Sequence, residues 1–150
     1  MLDTSGEPLK NALPAEPAFV KPNRDEAESL LGSPISSLDA ACAAVRKVIT
    51  MGARSTALSL GGEGLLYCPG KDALIYLTKG LKLRARSTVG CGDAALAGFA
   101  KSFASEAPPE EAIRTATACA AANCLAQSPG AVRLSDIEKF RAEISVQRLR

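Results

Sequence analysis

A chain of 150 residues with 47% hydrophobic content is the size of one ordinary domain and holds enough apolar material for a core. A net charge of +2 and an aromatic content of 4% supply neither the basic surplus nor the stacking platforms that nucleic-acid binding requires. Five cysteines without a C-x-x-C pair, in a chain with no histidine, fit neither a disulfide framework nor a zinc site and point to a reducing cytoplasm.

In chain order, Met1-Leu2-Asp3 reads as the end of a strand, SGEPLKNAL (5–13) as a short helix, AFVKP (18–22) as a strand and NRDEAESLLG (23–32) as a helix stopped by Gly32. Residues 37–51 place Leu38, Ala41, Cys42, Val45, Val48 and Ile49 on one helical face, and Gly52 ends that helix. RSTALSL (54–60) reads as a buried strand. After the GGEG turn (61–64) come three short strand-like pieces, GLLYC (64–68), ALIYL (73–77) and LKLRA (81–85), with Arg84 and Arg86 alternating toward solvent. From the glycine turn at 90–92 the pattern is helical to the end, with helices over 92–104, 109–126 and 136–146. The second follows Pro108-Pro109, the third carries a capping box over Ser135–Glu138, and Arg148 and Arg150 form a frayed polar terminus. No apolar signal core opens the chain. The longest uncharged run, Thr115 to Val132, is broken by Asn123, Gln127, Pro129 and Gly130, so no secretion signal or membrane span is expected. Helix and strand alternating at short intervals predict an α/β fold. The opening starts as though a strand were already running, which predicts a C-terminal piece of a longer domain.

Three stretches carry polar residues in patterns that chemistry could use. STVGCGDAALAGFA (87–100) sets a carboxylate, Asp93, directly after Gly90 and Gly92. A tight turn feeding a helix accounts for it locally, since an acid in the first turn suits the helix dipole. The turn formally fits the dinucleotide pattern G-x-G-x-x-A. That reading fails because the residues some 20 positions on, EAPPEEAIRTA, are a helix start, and an acid inside the turn would repel a pyrophosphate. Cys91 has no histidine to serve as its base, so it reads as a small filler open to oxidation. In KPNRDE, Asn23 and Glu26 have the spacing of a capping box, and Lys21 reads as a solvated lysine. SLGGEG (59–64) is a strand followed by a glycine turn.

Taken in order, KPNRDEAESLLG, SLGGEGLLY, STVGCGDAALAGFA and the helix with AAANCLAQ resemble the later half of the PfkB (ribokinase-like) sugar kinases, over nearly the whole chain. Within that family, DTSGEPLKNAL and the KPN lead-in look most like 1-phosphofructokinases and tagatose-6-phosphate kinases. The resemblance implies the C-terminal part of a central, mostly parallel sheet flanked by helices. It also implies transfer of a phosphoryl group from ATP to a sugar phosphate, with Mg²⁺ assisting. One departure stands out: the family's G-A-G-D turn usually has alanine or glycine where this chain has Cys91.

For such chemistry, backbone N–H groups of Gly90, Cys91 and Gly92 at a helix N-terminus would cradle the phosphoryl oxygens. Asp93 would take the proton of the attacking hydroxyl as general base. Ser87 and Val89 come with the turn as nucleotide contacts. The resemblance places Ser59, Gly61 and Gly64 beside the nucleotide phosphates and ribose, and Asn23 and Glu26 at Mg²⁺, often through water. Asn123 is either a buried polar group or part of the adenine pocket. The acceptor of first choice is fructose 1-phosphate, with tagatose 6-phosphate and fructose 6-phosphate open. The sugar-binding and lid segments of the family would lie before residue 1, so an N-terminal partner chain or a homodimer is foreseen. The competing reading is a catalytically incomplete nucleotide-binding fragment, and a dehydrogenase comes third.

Overall fold

The computed structural model describes residues 1–149; the terminal Arg150 lies outside them. The chain divides into two compact units, one of residues 1–61, 65–76 and 148–149, the other of residues 62–64 and 77–147.

The first unit holds helices α1 (Gly6–Ala12), α2 (Arg24–Leu31) and α3 (Leu38–Thr50) with strand β1 (Thr56–Ser59). Each helix starts and stops where the sequence says it should. Asn23 caps α2 and Gly32 closes it, while Ser37 Oγ caps α3 by accepting from the Ala40 N–H at 3.1 Å. Strand β2 (Gly64–Cys68) pairs antiparallel with β1 in the register Thr56–Cys68 to Ser59–Leu65. The expected AFVKP strand forms only single parallel bridges: Val20 lies between Leu2 and Thr56, and Asn23 bridges Ser59. Leu9, Leu13, Val20, Val48 and Ala53 form a core cluster here, and Phe19 packs against Tyr67 at 6.1 Å between ring centroids. Burying a side chain of the Leu or Val class contributes roughly 1.5–3 kcal/mol, so this cluster fixes how α1 and α3 meet the extended segment.

The second unit is mainly helical: α4 (Cys91–Ala104), α5 (Pro109–Leu125) and α6 (Leu134–Glu143). Pro109 occupies the first turn of α5, where its missing N–H is harmless. Ala118, Ala121, Ala122, Phe140 and Ile144 form the core between α5 and α6. Arg141 donates to Glu111 at 3.0 Å, and Arg114 donates to the Ile144 carbonyl at 3.0 Å, clasping the end of α6 to α5.

The remaining strands are β3 (Ile75–Lys79) and β4 (Val146–Leu149). Among the described residues, no helix is long and apolar enough to cross a membrane.

Three expectations about elements are corrected. LKLRA is not a strand: Leu81 and Leu83 pack on the α5/α6 core, and the following Arg86 N–H bonds the Cys124 carbonyl at 2.8 Å instead of a neighbouring strand. The Ser135–Glu138 capping box does not form, because α6 begins at Leu134 with Arg133 as its cap and Ser135 already inside the first turn. The chain end is not helical. Ile144 is extended and buried, and the β-branched Val146 opens β4.

Candidate functional site

In the first unit, α2 carries a complete capping box. The Asn23 side-chain oxygen accepts from the Glu26 N–H at 2.9 Å, and the Asn23 N–H donates to Glu26 Oε2 at 2.9 Å. The Asn23–Ser59 bridge, with the Ser59 N–H donating to the Pro22 carbonyl at 3.1 Å, brings Asn23, Glu26 and Ser59 together at the end of β1. Gly61 follows, exposed, at the start of a 3₁₀ turn. Asn23 is exposed and Glu26 half-buried.

Lys21 departs from its reading as a solvated lysine. It is 4% exposed, and its ammonium lies 3.4 Å from Asp3 Oδ2. Parallel pairing of Leu2 with Val20 brings Asp3 alongside it, a long-range consequence that the sequence around Lys21 does not announce.

In the second unit, Gly64 is buried where any Cβ would run into the Thr78 carbonyl oxygen, so the fold itself demands glycine there. Gly90, the cap of α4, has φ of 77°, in the left-handed region, and a Cβ there would stand 3.1 Å from Pro129 Cβ. The turn before it is locally braced: Ser87 Oγ accepts from the Val89 N–H at 3.1 Å. Cys91 is less available than its position suggests, since its N–H donates to the Thr88 carbonyl at 3.2 Å. The other donors that the helix start leaves without intrahelical acceptors are those of Gly90, Gly92 and Asp93. Asp93 itself is exposed in the first turn of α4, with its carboxylate beside those donors in sequence.

Asn123, for which two readings were open, is 2% exposed. Its amide nitrogen donates to the Val89 carbonyl at 2.8 Å, and its oxygen accepts from the Gly130 N–H at 2.8 Å. The same amide lies 3.4 Å from Cys91 Sγ, which touches Cys124 Sγ at 3.1 Å. Burial, followed by the hydrogen bond and charge of Cys91, pushes the Cys124 thiol up to about 11. Beside the end of α5 lies a recess of about 230 Å³ lined by Arg86, Ala122, Leu125, Gln127, Arg133 and Asp136.

Mg²⁺ and ATP can be tested against these residues. Asn23 and Glu26 offer hard oxygen donors, but both are engaged in the capping box, and no group of three or more His, Cys, Asp or Glu among the described residues could hold a metal. Oxygens of the kind Asn23 and Glu26 carry are what Mg²⁺ takes, directly or through water.

The family model of the pfkB family carbohydrate kinases matches residues 1–136. The 1-phosphofructokinase of Bacillus subtilis (strain 168) is 29% identical over 149 residues, covering 99% of this chain and 48% of that protein. The 1-phosphofructokinase of Xanthomonas campestris pv. campestris is 39% identical over 123 residues, covering 79% of this chain and 38% of that protein. The chain thus spans less than half the length of these curated relatives. Phosphofructokinase-2 from Escherichia coli, solved in complex with potassium, superposes with a TM-score of 0.85 at 28% identity, over 94% of this chain and 46% of that one. Matched by the family model along most of its length and by these kinases in sequence and backbone, the chain belongs to the pfkB family of carbohydrate kinases and shares their ribokinase-like α/β fold.

Proposed function

We propose that these 150 residues are the ATP-handling, C-terminal part of a sugar-phosphate kinase. The observation that carries the reading is the exposed carboxylate of Asp93 in the first turn of α4, directly after the left-handed Gly90. Bound MgATP would supply the transferable γ-phosphoryl group and much of the charge neutralisation. The chain's own work is then positional. First-turn N–H groups of α4 face the phosphoryl oxygens, where the helix end favours negative charge. Asp93 takes the proton from the acceptor hydroxyl as it attacks. Ser87, Val89 and Asn123 contact the nucleotide, Ser59, Gly61 and Gly64 line the approach of the phosphates and ribose, and Asn23 with Glu26 meets hydrated Mg²⁺.

The acceptor of choice is fructose 1-phosphate, giving fructose 1,6-bisphosphate, by analogy with the 1-phosphofructokinases that this chain resembles. No residue of the chain is assigned to the sugar in this reading, so the acceptor site and its lid come from a preceding segment or a partner chain. That makes a fragment dependent on a partner the second reading, favoured by the chain spanning less than half of its relatives. Holding the acceptor in line accounts for effects of about 7–11 kcal/mol in well-oriented reactions, so the chain alone should bind MgATP weakly and phosphorylate no sugar.

Turnover of ATP with fructose 1-phosphate, fructose 6-phosphate and tagatose 6-phosphate, by the chain alone and mixed with the N-terminal half of a 1-phosphofructokinase, tests both readings. Sugar-dependent ADP release by the mixture, strongest with fructose 1-phosphate, is the expected result. Equal release by the chain alone would show that it carries an acceptor site.

A further inference from the structure

Cys91 and Cys124 are free, half-buried thiols whose sulfurs stand 3.1 Å apart, although 33 residues separate them. The proposed phosphoryl transfer uses neither sulfur. Their meeting is fixed by the backbone on both sides. Cys91 opens α4, and its N–H is tied to Thr88; Cys124 lies next to the end of α5, and its carbonyl accepts from Arg86 at 2.8 Å. Asn123 links the two sides by donating to the Val89 carbonyl while lying 3.4 Å from Cys91 Sγ. Closing from 3.1 Å to a disulfide bond of about 2.05 Å needs a movement of about 1 Å.

We infer that Cys91 and Cys124 form a reversible disulfide on exposure to hydrogen peroxide, and that the bond draws the Gly90–Gly92 turn out of line for anion binding. The second half rests on the proposed nucleotide site; the first does not. The Cys91 sulfur attacks one peroxide oxygen, forming S–O and breaking O–O, and the departing hydroxide is protonated to water. The Cys124 sulfur then attacks the Cys91 sulfenic acid, forming S–S and breaking S–O. The second hydroxide takes the proton that Cys124 gives up. Two thiols are oxidised by two electrons in all, and one peroxide is reduced to two waters. Standing 3.1 Å from the Cys91 sulfur, the Cys124 sulfur is already in place for the second step. The remaining cysteines are poorer candidates. Cys68 is buried and its thiol donates to the Gly70 carbonyl at 3.1 Å, whereas Cys91 and Cys124 are half-buried with their sulfurs in contact.

The test is a peptide map of the reduced chain treated with hydrogen peroxide and then blocked with an alkylating reagent. A linked peptide pair holding Cys91 and Cys124, lost again on treatment with dithiothreitol, is the expected result. The Cys124→Ala variant should give no link. Cys91 and Cys124 oxidised separately, or alkylated as readily as before, would overturn the proposal. In parallel, calorimetry with a MgATP analogue should show affinity falling at least tenfold (on the order of 1.4 kcal/mol) on oxidation of the native chain and returning on treatment with dithiothreitol. Unchanged affinity in the linked form would refute the effect on the turn. A reduced chain that binds no nucleotide would refute the proposed site and the effect on it together, while the map still decides whether the disulfide forms.

Discussion

Asn123 holds Val89: its buried amide donates to the Val89 carbonyl at 2.8 Å, and its oxygen takes the Gly130 N–H at 2.8 Å. One side chain at the end of α5 therefore ties the residue just before the Gly90 turn to the loop after the helix. Replacing Asn123 with Leu leaves both backbone groups without this partner, which should destabilise the chain by about 1–3 kcal/mol. Asn123→Asp keeps an acceptor for Gly130 but sets a nearly buried carboxylate against the Val89 carbonyl, so it should destabilise more than the Leu change. Urea denaturation of the three proteins checks the order, and equal midpoints would remove Asn123 from its bracing role.

Gly90 supports the same turn through its backbone. At φ of 77° an L-residue pays roughly 1–2 kcal/mol, and a methyl group would crowd Pro129 at 3.1 Å. Gly90→Ala should therefore lower the thermal midpoint by several degrees and weaken MgATP binding at the same time. A variant as stable and as tight-binding as the native chain would show that the left-handed turn is dispensable.

Lys21 and Asp3 should respond unequally to mutation. Asp3→Ala strands a nearly buried ammonium without its ion-pair partner, whereas Lys21→Met removes the charge and keeps an apolar stem of similar length. The Asp3 change should be the more destabilising of the two, by about 1 kcal/mol or more, because Asp3 is only partly covered and the lysine almost wholly so. Denaturation midpoints in the reverse order would contradict this account of the pair.

What was legible in the sequence was local. The Asn23–Glu26 spacing announced the capping box, Gly32 and Gly52 marked helix ends, and Gly90 announced the turn before Asp93, because each depends on residues within one turn of backbone. What was missed depends on distant packing. LKLRA alternates like a strand, yet its leucines are claimed by a helical core whose residues begin at Ala118. Lys21 looked solvated because Asp3 lies 18 residues away until Leu2 pairs beside Val20. The Cys91–Cys124 contact is likewise a product of how α4 and α5 meet, and no spacing rule for cysteines would have found it.

The central claim is that Asp93 serves as the base, and Asp93→Asn tests it most directly. A chimaera carrying the N-terminal half of the Bacillus subtilis 1-phosphofructokinase ahead of this chain supplies the acceptor site, and steady-state ADP release with fructose 1-phosphate gives kcat while calorimetry gives the affinity for a MgATP analogue. The account predicts that Asp93→Asn lowers kcat by about 10²–10⁴-fold and leaves nucleotide affinity nearly unchanged, since the amide keeps the shape of the carboxylate but cannot take the proton. Turnover retained within a few-fold of the native chimaera would contradict it.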